Sequence, residues 1–311
     1  MQKTLLYLAA FVIGCSGGSG AQDQDADPDP IVDTTTDGGQ KQDAPSKPAT
    51  PDASSDAPTT TQGIIPSGWL YTDGGKLYVS NGTSGTEWVG RGVNADDVYL
   101  CGYNGSLWMG DPASALTTMT TSLVQNWKPT FVRVSLGMDS YSQTSWSGTY
   151  ATQMTKVIDA LGASPNVYVL VTLRSDVSMP KWNDNDATGY PTPATDATYR
   201  ALVDTFANSK FVLFGLSNEP GGSSLTNATI RGAMDHATSV IRAEEDKLGV
   251  PHHIVSAQGN GWTSDISFYA QTPLPYDNVV YEVHGYPPPA SSYTYANIPV
   301  IIGEYGTLTS S

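Results

Sequence analysis

The sequence predicts an α/β fold, a (β/α)8 TIM barrel, on three observations. Runs of mostly apolar residues without alternation, such as Phe211-Val-Leu-Phe-Gly-Leu-Ser217 and Val300-Ile-Ile-Gly303, recur along the chain, as parallel strands covered on both faces do. Between most of them lie segments with apolar residues at helical spacing, which supply the crossovers that parallel strands need. Finally, Asn94, Arg133, Glu219, Gln258, His284 and Glu304 stand in or at the carboxyl ends of six different strands, and a barrel brings such positions to one rim. An open doubly wound sheet is the competing arrangement, but no strand leads into Gly-x-Gly-x-x-Gly or a Gly-rich loop ending in Gly-Lys-Ser/Thr.

The chain divides into three parts. Residues 1–15 hold one early charge, Lys3, and an apolar run from Leu5 to Ile13 that is too short to span a bilayer. The run ends at Val12-Ile-Gly-Cys15 and resembles a bacterial lipoprotein signal, which implies export and a lipid anchor at Cys15. Ser16 after the cysteine is similar to the pattern that sorts such proteins to an outer membrane; plain secretion is the alternative. Residues 16–63 are Asp, Pro, Thr, Ser, Gln and Ala with little to bury, so a flexible acidic tether is expected. Its aspartates lack the Asp-x-Asp-x-Asp-Gly loop and closing Glu of a calcium site. Residues 64–311 are long enough for one substantial core.

Within that domain, Leu77 to Val79, a turn at Asn81-Gly82, and Glu87 to Gly90 predict a hairpin. Val89 to Asn94 is the first core strand. Leu116, Met119, Leu123 and Trp127 mark a helix before the strand Thr130 to Leu136. Met154, Val157, Ile158 and Leu161, ended by Gly162, precede Val167 to Leu173, and Tyr199 to Phe206 precedes the strand at Phe211. A stripe from Ile230 to Leu248, closed by Gly249, leads to His253 to Ala257, after which come Asn278 to His284 and Ile298 to Ile302.

Fifteen basic against thirty acidic residues disfavour nucleic acid and polyanionic polysaccharides as partners. With Cys15 lipidated, Cys101 is an unpaired thiol, whose usual place is the core. The histidines show no His-x-x-x-His or His-Glu pairing at ligand spacing, so no metal and no cofactor are expected.

The segments Arg91-Gly-Val-Asn94, Val132-Arg-Val134, Ser217-Asn-Glu-Pro220, Glu282-Val-His-Gly-Tyr286 and Gly303-Glu-Tyr-Gly306 resemble the strand ends of the retaining glycoside hydrolases of family 5, the cellulase and mannanase family. The resemblance implies that Glu219 is the acid/base and Glu304 the nucleophile of a monomeric hydrolase acting on a neutral polysaccharide. Glycosidic cleavage needs one carboxylic acid to protonate the leaving oxygen and one carboxylate to meet the anomeric carbon; two carboxylates a few ångströms apart do not both ionise readily. The same resemblance sets Arg133 beside the nucleophile, Asn218 on the sugar 2-hydroxyl, and His284 and Tyr286 on the pocket wall. Asn94 and Gln258, at the ends of the first and fifth strands, are further candidate contacts by position, although a polar cap on a strand needs no function. Trp182 and Trp262 on rim loops are candidate sugar platforms, and Trp108 and Trp146 fainter ones.

Two features depart from that family. Thr172-Leu-Arg-Ser-Asp176 ends the third strand where its cellulases commonly carry a histidine, so the sugar or linkage can differ from cellulose. Only Thr307 to Ser311 follow Gly306, so the last helix, the eighth strand and the family's tryptophan on it are expected to be missing, with unpaired edges on the first and last strands. A mannanase or other β-glycanase, and a noncatalytic carbohydrate-binding surface lipoprotein, stay open as alternatives.

Overall fold

The computed structural model describes residues 12–13, 65–95, 120–138, 143–174, 176–178, 189–221, 225–286, 293 and 295–306. Cys15, Cys101, Trp108, Trp182 and the tether lie outside these residues.

Seven strands form a parallel sheet in sequence order: β5 (Gly92–Ala95), β6 (Phe131–Leu136), β7 (Tyr168–Leu173), β8 (Val212–Gly215), β9 (Val255–Gln258), β10 (Val279–Gly285) and β11 (Val300–Tyr305). This is a near-complete (β/α) barrel with one seam unsealed. The outer edge of β5 is not bare: a two-residue strand, β1 (Val12–Ile13), pairs with it in parallel, Val12 opposite Asn94 and Ile13 opposite Ala95. Only β10 pairs with β11 among the described residues. The expectation of two unpaired edges therefore holds for β11 and not for β5.

The helices follow the predicted stripes. In α1 (Gly148–Gly162) the buried side chains include Met154, Val157, Ile158 and Leu161. Then come α2 (Asp196–Phe206) and α3 (Asn227–Leu248). Thr226 caps α3 by accepting a hydrogen bond from the Thr229 amide, and Gly249 ends it in the left-handed conformation, at φ 65°, which a residue without Cβ adopts without strain. Leu248 falls off the buried stripe and is exposed. The expected helix before β6 ends in a π-helical turn over Leu123–Trp127, leaving Trp127 exposed. Two short helices, α4 (Asn260–Thr263) and α5 (Ser267–Gln271), stand in the crossover from β9 to β10. Among the described residues no helix is long and apolar enough to cross a membrane.

The two faces of the sheet are filled differently, as the two-residue period of strands requires. Val132, Val134, Phe214, Val255, Ala257 and Val283 face outward and pack with the helices. Facing inward at the amino end are Phe131, Tyr168, Leu170, Leu213, Ile254 and Val280, closed from below by Leu70 and Leu77. Those two leucines belong to an antiparallel sheet of β2 (Leu70–Asp73), β3 (Lys76–Ser80) and β4 (Gly85–Trp88). The predicted hairpin is β3 with β4, and β2 adds a third strand by pairing with β3. Above this apolar floor, two residues further along each strand, the interior turns polar: Leu213 gives way to Gly215, Ile254 to Ser256 and Gln258, and Val280 to Glu282 and His284.

Candidate active site

Arg133 is the centre of that polar layer. It points inward from β6 and is buried, where an unpaired guanidinium would be prohibitively costly. Its Nη1 donates to Glu304 Oε1 at 2.8 Å and its Nη2 to Asn218 Oδ1 at 2.7 Å. Its Nε forms an ion pair with Glu282 Oε1 at 2.8 Å, with the N–H aimed off the hydrogen-bond axis. Asn94, on the neighbouring β5, lies 3.5 Å from Nη1 and gives its own amide to the Gly303 carbonyl at 2.9 Å.

Glu304 reaches this layer through a bulge. The register of β10 against β11 steps from Val283–Ile302 to His284–Glu304, so Gly303 is an extra residue on β11. A bulge re-aims the side chains beside it, and here Gly303 and Glu304 both turn inward. Gly303 must lack a side chain, because a Cβ there would lie 2.0 Å from Glu282 Oε1. Glu304 Oε2 accepts from the Tyr286 hydroxyl at 3.0 Å. Burial pushes the Glu304 carboxyl up, but Arg133, His284 and the Tyr286 hydroxyl together hold it below the ordinary glutamate value. Tyr286 is driven the opposite way by burial and by the Glu304 charge, and it stays a donor.

Glu219 follows β8 in a strained turn. Its φ is +53°, a left-handed conformation that costs about 1–2 kcal/mol for a residue with Cβ and that a following proline disfavours further. Three contacts hold it. Gln258 Oε1 accepts from the Glu219 amide at 2.5 Å and from the Thr263 hydroxyl at 2.9 Å. Thr172 donates to the Ser217 carbonyl at 2.9 Å. Gly189 packs so closely that a Cβ would lie 2.3 Å from the Asn218 carbonyl oxygen.

His284 joins the two glutamates. Its Nδ1 is 2.9 Å from Glu219 Oε1 and 3.7 Å from Glu304 Oε2, and its Nε2 is 2.9 Å from Glu282 Oε1. Burial lowers its affinity for a proton, but the bonds to Glu219 and Glu282 and the Glu304 charge more than reverse this and raise its pKa to about 9. Burial likewise pushes Glu282 up, yet Arg133 and His284 pull it down to about 2. Glu219, His284 and Glu304 each offer a ligand atom within 4.8 Å of the others. That is cation-binding distance, but in the protonated form that its raised pKa favours, His284 has no lone pair for a metal, and Arg133 already supplies positive charge.

The rim thus brings together Arg133, Asn218, Glu219, His284, Tyr286 and Glu304, with Asn94 against them. Gln258 is near but fully buried; its oxygen accepts from the Glu219 amide and the Thr263 hydroxyl, so it supports the turn. Trp262 stands on the rim, about half exposed at 48 %, in a run of left-handed residues from Gly261 to Thr263. Its amide donates to the Pro220 carbonyl at 3.0 Å, and its indole lies against Gly221, where a Cβ would come within 2.6 Å of the ring. Trp146 is not on the rim: it is buried against Tyr150 and Phe206 and donates to the Thr205 hydroxyl at 2.9 Å. Glu282 was not singled out from the sequence. Its signal is the pair Glu282 and His284, two polar residues two apart in a strand otherwise apolar through Val283.

Fold and rim define a class: (β/α) barrel proteins with two glutamates set among fixed cations at the carboxyl ends of the strands. Residues 90–311 match cellulase, glycosyl hydrolase family 5, and the chain belongs to that family. Endoglucanase N of Pectobacterium atrosepticum is 24 % identical over 238 residues, covering 75 % of this chain and 46 % of that protein. Endoglucanase 5 of Pectobacterium carotovorum subsp. carotovorum is 24 % identical over the same length, 75 % of this chain and 40 % of its own. The chain therefore spans less than half the length of these curated relatives. Among solved structures, the cellulase Cel5C_n aligns with a TM-score of 0.57 at 19 % identity, over 77 % of this chain and 71 % of the other. The catalytic domain of Thermobifida fusca endoglucanase Cel5A aligns with a TM-score of 0.56 at 17 % identity, over 77 % and 74 %.

Proposed function

We propose that this protein is a retaining endo-β-glycanase that hydrolyses a neutral β-glucan, with Glu219 as acid/base and Glu304 as nucleophile. The observation that carries this reading is the separation of the two carboxylates: an oxygen of each lies within 4.8 Å of the other and of His284 Nδ1. Retaining enzymes hold their carboxyls about 5–5.5 Å apart, whereas inverting ones leave about 6.5–9.5 Å for a water.

The electrostatics suit the two roles. Glu304 is kept ionised by Arg133, as a nucleophile must be, and Tyr286 fixes the oxygen that Arg133 does not. Glu219 is held through Oε1 by His284, and among the described residues its Oε2 has no partner, which leaves that atom for the glycosidic oxygen. In the first step Glu304 attacks the anomeric carbon while Glu219 gives its proton to the leaving oxygen. In the second, Glu219 takes a proton from water, which attacks the same carbon and frees Glu304. Asn218, fixed by Arg133, stands beside the acid/base for the sugar 2-hydroxyl. Trp262 offers an exposed aromatic face beyond it, where sugar C–H groups can pack.

The relatives' names support β-1,4-glucan as the substrate: endoglucanases and cellulases, with the Thermobifida fusca enzyme studied in complex with cellotetraose. Reducing-sugar release from carboxymethyl-cellulose, glucomannan, xylan and β-1,3-glucan, measured side by side, tests the choice. Glu304→Gln should nearly abolish turnover. Glu219→Ala should spare activated aryl glycosides, and azide should rescue it as a glycosyl azide of retained configuration. An inverted product, or azide rescue through Glu304 instead, refutes the assignment. For location we propose a lipid anchor at Cys15 on the outer membrane or cell surface, motivated by Leu5 to Cys15; cleavage there would take β1 from the edge of β5.

A further inference from the structure

Among the described residues, Glu282 is the one buried ionisable group of the polar layer that the chemistry above leaves without a task. Its side chain is wholly buried, and both of its carboxylate oxygens meet polar groups. Oε2 accepts from the Ser256 hydroxyl on β9 at 2.8 Å. Oε1 meets Arg133 Nε on β6 at 2.8 Å and His284 Nε2 on β10 at 2.9 Å. Burying a carboxylate is strongly unfavourable unless its partners are fixed, and a small neutral residue would fill this position without that penalty. Gly303 shows that the site is shaped around the charge: the chain there has no Cβ, and any Cβ would collide with Glu282 Oε1 at 2.0 Å.

We propose that Glu282 is a positioning residue of the reaction, an ionised carboxylate that keeps both nitrogens of His284 protonated, so that Nδ1–H donates to Glu219 Oε1 and reserves Oε2 for the substrate. By the same carboxylate it fixes Arg133 at Nε, leaving the two Nη groups for Asn218 and Glu304. The proposal rests on the reading of Glu219 and Glu304 as the reacting pair. The charged groups that face His284 are Glu282 from its own strand, Glu219 from the turn after β8, Glu304 from β11, and Arg133 from β6. Two ionised carboxylates, Glu282 and Glu304, against one guanidinium favour the imidazolium, and Glu219 accepts from its Nδ1–H. With Glu282 made neutral, Glu304 alone balances Arg133 and the buried ring, and the proton is held less firmly.

The test follows the four histidines by their imidazole carbon shifts across pH, with His284 assigned by the signal lost in His284→Gln. In the wild-type protein the His284 midpoint should lie near 9. In Glu282→Gln it should fall by about one pH unit or more, the effect of losing one adjacent opposite charge. The alkaline limb of kcat/KM should fall with it, and kcat should drop more than KM rises. Glu282→Asp, which keeps a charge at greater distance, should give a smaller fall. A wild-type midpoint below 7 overturns the proposal, and so does an unchanged midpoint and pH profile in Glu282→Gln. Should that variant not fold, the graded shift in Glu282→Asp decides in its place. The titration needs no substrate, so a protein inactive on every glycan but titrating as expected would refute the functional reading while supporting the role of Glu282 in holding His284.

Discussion

Replacing Arg133 with methionine removes the cation around which the rim is built and leaves a side chain of similar length. Arg133 and Glu282 are both fully enclosed, their side chains 1 % and 0 % exposed, whereas Glu304 keeps 16 %. Breaking a buried ion pair by removing one partner costs about 3–5 kcal/mol. Glu282 retains Ser256 and His284, which lowers its share, and Glu304 can be partly hydrated, so about 3–4 kcal/mol at pH 7 is the expected loss. The sign of its pH dependence follows from the carboxylates. Both are depressed in the folded protein, Glu282 to about 2. Their stabilisation is thus present above the unfolded glutamate value of about 4.3 and is lost as pH falls through the folded values. Without Arg133, burial acts with less opposition and both carboxyls protonate more readily. The gap between wild type and Arg133→Met should therefore be widest near pH 7 and shrink towards pH 4. Urea unfolding followed by tryptophan fluorescence at pH 4.5 and 7, extrapolated linearly to water, measures it. An equal gap at both pH values, or one below about 1 kcal/mol at pH 7, would show that Arg133 is not balancing buried charge.

Three further outcomes are expected. Gly303→Ala sets a methyl group 2.0 Å from Glu282 Oε1; the overpacking should destabilise by about 1–3 kcal/mol. Moving Glu304 by about 1 Å should cost about a hundredfold in rate, so wild-type kinetics and melting would contradict the described bulge. Trp262→Ala should raise KM on polymeric substrate by roughly 5- to 30-fold, equivalent to about 1–2 kcal/mol, and leave small aryl glycosides nearly unaffected; equal losses on both would place the indole outside the substrate path. Cys15→Ser should release the protein from the membrane fraction or leave it unprocessed, and a wild-type N-terminus mapped beyond Cys15 would sink the anchor.

The parts of the fold legible in the sequence are those governed by periodicity. Met154, Val157, Ile158 and Leu161 mark the buried face of α1 because four turns of a helix against a sheet leave no other solution. Boundaries were less legible: β5 begins at Gly92, and Val89, expected inside it, is exposed at 61 %. Strand ends located Arg133, Glu219, His284 and Glu304 on one rim, since parallel order alone brings them there. Depth along a strand is set by register and tilt, which no single strand encodes. For this reason Gln258 reads from the sequence as a substrate contact although it lies under the turn it supports, and Glu282 escapes notice beneath His284. The bulge at Gly303 is likewise a property of two strands together, visible only once Val283 is seen opposite Ile302 and His284 opposite Glu304.

The first and last strands of the barrel are joined by side chains. Across the seam, Asn94 reaches the Gly303 carbonyl and Arg133, from the next strand, holds Glu304; outward from it, Ile302 on β11 is exposed at 44 %. The latch that draws the ends of the sheet together thus includes Glu304, the group proposed above to meet the anomeric carbon. Occupancy and closure become linked quantities: a ligand that binds only the latched form tightens it by mass action, and a change that loosens the latch weakens the grip on ligand by an equal free energy. Heating an empty site should therefore release Glu304 from its setting before the helices around α3 give way, and activity should disappear at a lower temperature than helical structure. A saturating oligosaccharide should bring the two temperatures together.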